Sequence, residues 1–167
     1  MKSITLMKAI TLLEPWASLV KLKEKRIETR SWETSYRGPL AIHAGASCKA
    51  FHMDFAWKEP FYTALKPQHL FPGINYNLGC VIAVGELVDC LLIQEDGLYQ
   101  SRKYIPGGLH DFFHAERPLP TGNEYAFGDY TPGRYAWILD NVKPLDKPVP
   151  MRGYQRLWKI DPAVLGV

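Results

Sequence analysis

Lys8 to Leu13 is apolar and β-prone and reads as a first strand. Pro15 follows at a position suited to the first residue of a helix. Trp16, Ala17, Leu19, Val20 and Leu22 then give a short helix its apolar spacing. From Lys25 to Ser31 the period falls to two, with Ile27 and Thr29 opposing Arg26, Glu28 and Arg30. Arg37-Gly38-Pro39 signals a turn, and Leu40 to Ala44 a strand ended by Gly45. Residues 47 to 66 have helical character interrupted at Pro60. Gly79 to Ile93 is the longest β-like run and is expected to cross the core, and Arg134 to Val142 is another strong strand. Residues 96 to 123 are aromatic without a clear period and read as an insertion. Residues 1 to 6 are nearly repeated by residues 7 to 12, so an N-terminal extension is expected, with the domain proper at 7–160 and a tail at 161–167. Short strands with few, early helices predict an α+β domain around a small barrel of mixed or antiparallel strands.

A chain of 167 residues is long enough to bury a core without staples. Its net charge of +3 is small, but the distribution is uneven. Lys21 to Arg37 holds six basic and three acidic residues, while the remaining 14 of each sign cancel. Such an excess attracts phosphate, although a solvated face of mixed sign has the same composition. Cys48, Cys80 and Cys90 are odd in number and lack C-x-x-C spacing, which points to a reducing compartment. The apolar run Ala9 to Leu13 is too short for a signal peptide, and no stretch approaches membrane-spanning length. The expectation is a cytoplasmic protein without membrane contact.

The densest chemistry is Lys25-x-x-Glu28-x-Arg30. Two residues apart on a strand, Glu28 and Arg30 leave the same face, where the guanidinium holds the carboxylate ionised and oriented. Lys25, at the start of the strand, reaches the same region as a mobile ammonium. An ion-pair ladder on a wet sheet face satisfies the same spacing. Glu86 interrupts the apolar run 80–93, so it either faces water or meets a cation. His43 ends an alternating strand and reads as a proton carrier, a phosphate ligand or a hydrogen-bonded structural residue. Gly133-Arg134 follows Tyr130-x-Pro132 in a turn able to offer N–H groups to an anion, or simply to join two strands. His110 and His114 are four apart but lack the Glu of H-E-x-x-H, and no phosphate loop or dinucleotide fingerprint is present, so no metal and no cofactor is expected.

Three early blocks and two late ones carry a resemblance. They are Glu14-Pro15-Trp16-Ala17-x-Leu19-Val20, Lys25-x-x-Glu28-x-Arg30-Ser31-Trp32 and Tyr36-Arg37-Gly38-Pro39-Leu40-Ala41-Ile42-His43-Ala44, then Phe127-Gly128-Asp129-Tyr130-x-Pro132-Gly133-Arg134-Tyr135-Ala136-Trp137 and Pro150-x-Arg152-Gly153. In this order they resemble the ASCH family, whose domains are similar to the PUA fold, a small β-barrel with flanking helices associated with RNA. The family signature is G-x-K-x-x-E-x-R. Lys23 stands at the glycine position, which predicts an altered turn, because lysine tolerates positive φ poorly.

The resemblance implies two activities. Compact bacterial members hydrolyse N4-acylated cytidines with the signature Lys, a Thr at the signature Glu position and a Glu on a later strand. Those roles fall here on Lys25, Glu28 and Glu86, with a carboxylate in place of the hydroxyl. Other members bind RNA or DNA, and one has ribonuclease activity. For that role Lys25, Arg30, Arg37, Arg134 and Arg152 are the candidate phosphate ligands, with His43 beside them and Trp16, Trp32 or Tyr130 as stacking surfaces. Trp137, Trp57 and Trp158 read as packing residues. The first expectation is therefore a domain binding RNA, another single strand or a cytidine-like nucleoside in a charged cleft. The alternatives are a hydrolase, or a protein-interaction domain using the aromatic segment 96–123.

Overall fold

The computed structural model describes residues 6–47, 52, 54–70, 75–101 and 117–166, with the side chains of 99–101 left aside. Eight strands are present among them: β1 Met7–Leu12, β2 Ile27–Arg30, β3 Gly38–Ala44, β4 Cys80–Ile93, β5 Leu98–Ser101, β6 Arg117–Pro118, β7 Tyr135–Pro150 and β8 Leu157–Ile160. Three short α-helices join them, α1 Trp16–Lys21, α2 Phe61–Leu65 and α3 Gly122–Ala126, with 3-10 turns at Asp54–Trp57, Lys66–Gln68 and Pro162–Leu165. The hydrogen-bonded order is β2-β7-β4-β3-β1-β8, with β5 on β4 and β6 on β5. β1 and β3 run parallel, while β8 on β1 and β2 on β7 are antiparallel. This is the expected α+β architecture, with an open strand path compatible with a barrel-like PUA fold.

The chain divides into two compact units, and β4 and β7 each contribute to both. Unit one comprises 1–25, 39–85 and 141–167; unit two comprises 26–38 and 86–140. The core of unit one gathers Met7, Ala9, Ala41, Val81, Ile160 and Leu165, flanked by Val84, Leu145, Val149, Met151 and Trp158. That of unit two gathers Leu91, Ile93, Tyr130 and Ala136, with Ile27, Leu119 and Ile138 against them.

The helix expected over 47–66 is broken into a 3-10 turn and α2 on either side of Pro60, as proline's missing N–H requires. The strand expected over 134–142 continues to Pro150. The insertion holds β5, β6 and the start of α3; its residues 102–116, including His110 and His114, lie outside the described residues, as does Cys48. Cys80 and Cys90 are free thiols. No helix among the described residues is long and apolar enough to cross a membrane.

The turn between α1 and β2 is a Schellman motif. The Lys23 amide donates to the Val20 carbonyl at 3.0 Å and the Glu24 amide to Leu19 at 3.0 Å. Lys23 occupies the left-handed position with φ +66. The turn that the glycine would make is thus retained, against the expectation of an altered one, and lysine carries the strain.

Candidate functional site

Unit two presents the signature pair. Glu28 stands opposite Trp137 and Arg30 opposite Tyr135 in the β2–β7 register, so these four side chains share one face. Ile27, Thr29, Ala136 and Ile138 take the other. Arg30 Nε lies 3.1 Å from Glu28 Oε1, with side chains 26% and 13% exposed, so the pair is only partly screened by water. Trp32 meets Trp137 edge-on at 4.6 Å and 85°. Trp137 is fully buried, and its Nε1–H has no hydrogen-bond partner among the described residues. The face therefore combines a carboxylate acceptor, a guanidinium donor and a half-buried indole.

Two devices hold β2 in place. Glu124 on α3 accepts from the Arg26 amide at 2.8 Å and the Ile27 amide at 3.0 Å. The 129–134 loop is tied to Thr29, whose hydroxyl accepts from the Asp129 amide at 3.0 Å and whose carbonyl accepts from Arg134 Nη2 at 3.3 Å. Arg134 Nε also lies 3.2 Å from Asp129 Oδ2. The Thr131 hydroxyl holds the Asp129 carboxyl below its ordinary value; burial opposes it, and the Thr131 amide and the Arg134 charge add to the lowering.

Several expected phosphate ligands are thus already engaged. Arg134 fastens its loop. Arg37 donates to the Thr34 and Tyr36 carbonyls at 3.0 and 2.9 Å and pairs with Asp89 at 3.1 Å. Arg26 pairs with Asp140 at 3.5 Å. Of the six cations over 21–37, Arg26 and Arg37 are accordingly met by carboxylates distant in sequence, and Arg30 by Glu28 two residues away. Tyr130 is 6% exposed, which removes it as a stacking surface; the ring stacked on it at 5.1 Å, Tyr125, is 50% exposed. Glu86 is exposed on β4, so no burial cost arises for it.

In unit one, Lys25 is 1% exposed, and its amide donates to the Leu19 carbonyl at 3.1 Å. A buried ammonium is tolerated only when it is paired, so this is not the mobile cation expected. Trp16 packs against His52, Phe55 and Phe61 at 5.6, 5.4 and 6.0 Å. His43 is buried, with Nε2 3.0 Å from the Met151 carbonyl. Because a carbonyl only accepts, that contact needs the proton on Nε2, and it ties the His43 ring to the backbone at Met151. Its ring edge packs on Gly153, where a Cβ would lie 2.4 Å from Cε1, so only glycine fits. Arg152 lies over the Tyr154 ring at 5.6 Å. Trp57 is 58% exposed, with its ring stacked on Tyr62 at 6.3 Å.

Sequence reasoning missed Glu124, Tyr125 and Tyr154. Nothing local marks Glu124, whose partners are almost a hundred positions away. Tyr154 was findable: Arg152 to Lys159 contains three cations and no acid.

Residues 10–148 match the ASCH domain family. The chain belongs to that family. It is similar to activating signal cointegrator 1 of Homo sapiens, 28% identical over 149 residues, covering 89% of this chain and 21% of that protein. The Mus musculus protein of the same name is 25% identical over 153 residues, 91% of this chain and 22% of its own length. The chain thus spans about a fifth of the length of these relatives.

Proposed function

We propose that this ASCH domain binds single-stranded RNA or a free nucleotide, with the Glu28–Arg30 face of β2 reading the edge of a base. The observation that carries the reading is the half-buried Glu28–Arg30 pair beside Trp32 on one strand face. A carboxylate accepts from an exocyclic amino group while an adjacent guanidinium donates to a ring carbonyl, which together match the donor and acceptor edge of cytosine. Trp32 supplies a surface on which the base stacks. The PUA-like fold supports the RNA assignment.

The test is a titration of short cytidine-rich and uridine-rich RNA at low and moderate salt, followed by tryptophan fluorescence. Binding at low salt is expected. Trp32→Ala should weaken it about 5-fold or more, the lower end of base stacking at roughly 1–3 kcal/mol. No binding at low salt overturns the reading. Incubation with N4-acetylcytidine tests the hydrolytic alternative, and turnover abolished by Lys25→Ala would replace binding with catalysis.

A further inference from the structure

Unit one carries an aromatic ledge that the signature face does not use. Trp57 ends the 3-10 turn Asp54–Trp57 and is 58% exposed. Its ring lies 6.3 Å from that of Tyr62 on α2, at 27° to it. Deeper in the same segment Phe55 and Phe61 meet at 5.6 Å, and both pack on Trp16, at 5.4 and 6.0 Å. Ala56, Phe61 and Leu65 are buried. The outer ring is therefore held by an ordered aromatic layer, so a ligand stacking on it pays little to order the surface.

Two ammonium groups stand at its rim. Lys58 Nζ lies over the Phe55 ring at 5.5 Å, and Lys66 Nζ over the Tyr62 ring at 5.4 Å. Both lysines are exposed, and neither has an ion pair among the described residues. Glu59 is engaged elsewhere: its carboxylate accepts from the Thr63 hydroxyl at 3.0 Å and the Thr63 amide at 3.4 Å. Lys58 and Lys66 are still balanced in number by Asp54 and Glu59, so charge alone draws a polyanion here only weakly. Trp57 is also the one large apolar side chain exposed over 54–70 among the described residues. A single ring with a charged rim lacks the cluster of apolar anchors that a protein partner buries. It fits one planar group with an anionic link on either side, which is a base of a single strand.

We infer that Trp57, backed by Tyr62 and rimmed by Lys58 and Lys66, is a second stacking station for single-stranded nucleic acid. This rests on the nucleic-acid reading above, and extends it from a base read by its edge to a base held by its face alone. An indole face meets every base alike, so the station adds affinity without adding sequence preference.

The experiment measures binding of fluorescent cytidine and uridine 12-mers to the full chain across a salt series. Trp57→Ala should weaken binding of both about 5-fold or more and leave the salt slope unchanged, because it removes a stack and no charge. Trp57→Phe keeps a ring and should lose less. The double variant Lys58→Gln, Lys66→Gln should flatten the log–log salt slope by about 1.4, at about 0.7 per lost phosphate contact on a single strand. All three positions are exposed, and thermal melts of each variant establish that it folds. A loss in Trp57→Ala confined to one of the two strands would mean that an edge is read, and overturns the stacking assignment. Absence of wild-type binding defeats the nucleic-acid reading and this site with it. Binding weakened by Trp32→Ala but unmoved in affinity by Trp57→Ala, with a slope unmoved by the lysine variant, overturns this site alone. Binding weakened by Trp57→Ala but not by Trp32→Ala keeps this site and removes the signature face. Displacement of the strand by polyglutamate as effective as by unlabelled RNA, and indifferent to Trp57→Ala, also overturns the site and assigns the surface to an acidic protein.

Discussion

Lys23 shows what the family glycine is for. The position follows the last turn of α1 and must take positive φ so that the Lys23 and Glu24 amides can reach the Val20 and Leu19 carbonyls. A Cβ in that conformation costs about 1–2 kcal/mol, part of which glycine returns through its larger unfolded-state entropy. Lys23→Gly should therefore stabilise the protein by about 1 kcal/mol, read as a raised denaturation midpoint with an unchanged slope. An unchanged or lowered midpoint would show that the lysine side chain contributes something the turn does not. The stacking candidates show a limit of residue-scale reading. Tyr130 and Tyr125 are both tyrosines in polar surroundings, and only packing on Leu91, Ile93 and Ala136 makes the first a core residue. The second is stacked on the first and stays half-exposed among the described residues.

Among the elements, the strands were the most legible. β1, β2, β3 and β4 begin and end within a few residues of where the pattern places them; β1, β3 and β4 show as apolar runs, buried at every position from Leu40 to Ala44 in β3, and β2 shows by its period of two. The Glu28–Arg30 pair was legible for the same reason. The end of β7 was not, since Pro144 and Pro148 argue against a strand that nonetheless continues to Pro150. The partners of Arg37, Arg26 and Arg134 were not legible either, because they depend on which strands become neighbours. Glu124 belongs to this class, and the anchoring of β2 depends on it. Its carboxylate takes two backbone N–H groups, one exposed and one part-buried, so Glu124→Ala removes two charge-assisted hydrogen bonds, at a cost of about 1–3 kcal/mol. Hydrogen exchange at Arg26 and Ile27 should accelerate in that variant while the amides of β1 stay protected. Uniform acceleration across both strands would mean that Glu124 supports the whole molecule rather than one strand.

At the scale of the whole molecule, two carboxyls drive stability in opposite directions with pH. Asp129 is held below its ordinary value, so its contribution is present at neutral pH and lost as pH falls; it is exposed, and solvent keeps that contribution small. Glu14 is buried in unit one, with the Ser18 amide and hydroxyl donating to it at 3.0 Å each. Burial raises its pKa from 4.5 to about 7, outweighing those hydrogen bonds and the nearby charge of Lys21. The folded state therefore keeps the Glu14 proton to higher pH than the unfolded chain. Stability from this group is full below 4.5, declines as pH rises toward about 7 and is flat above. Between pH 5 and pH 8 the decline amounts to about 2–3 kcal/mol at roughly 1.4 kcal/mol per pH unit. Glu14→Gln keeps an oxygen to accept from Ser18 but has no proton to lose, so its stability should not follow that decline. Urea midpoints at the two pH values, wild type against variant, isolate the effect, because every other titrating group is common to both. Parallel behaviour would mean that Glu14 stays ionised in the fold and that its hydrogen bonds, not its burial, decide its state.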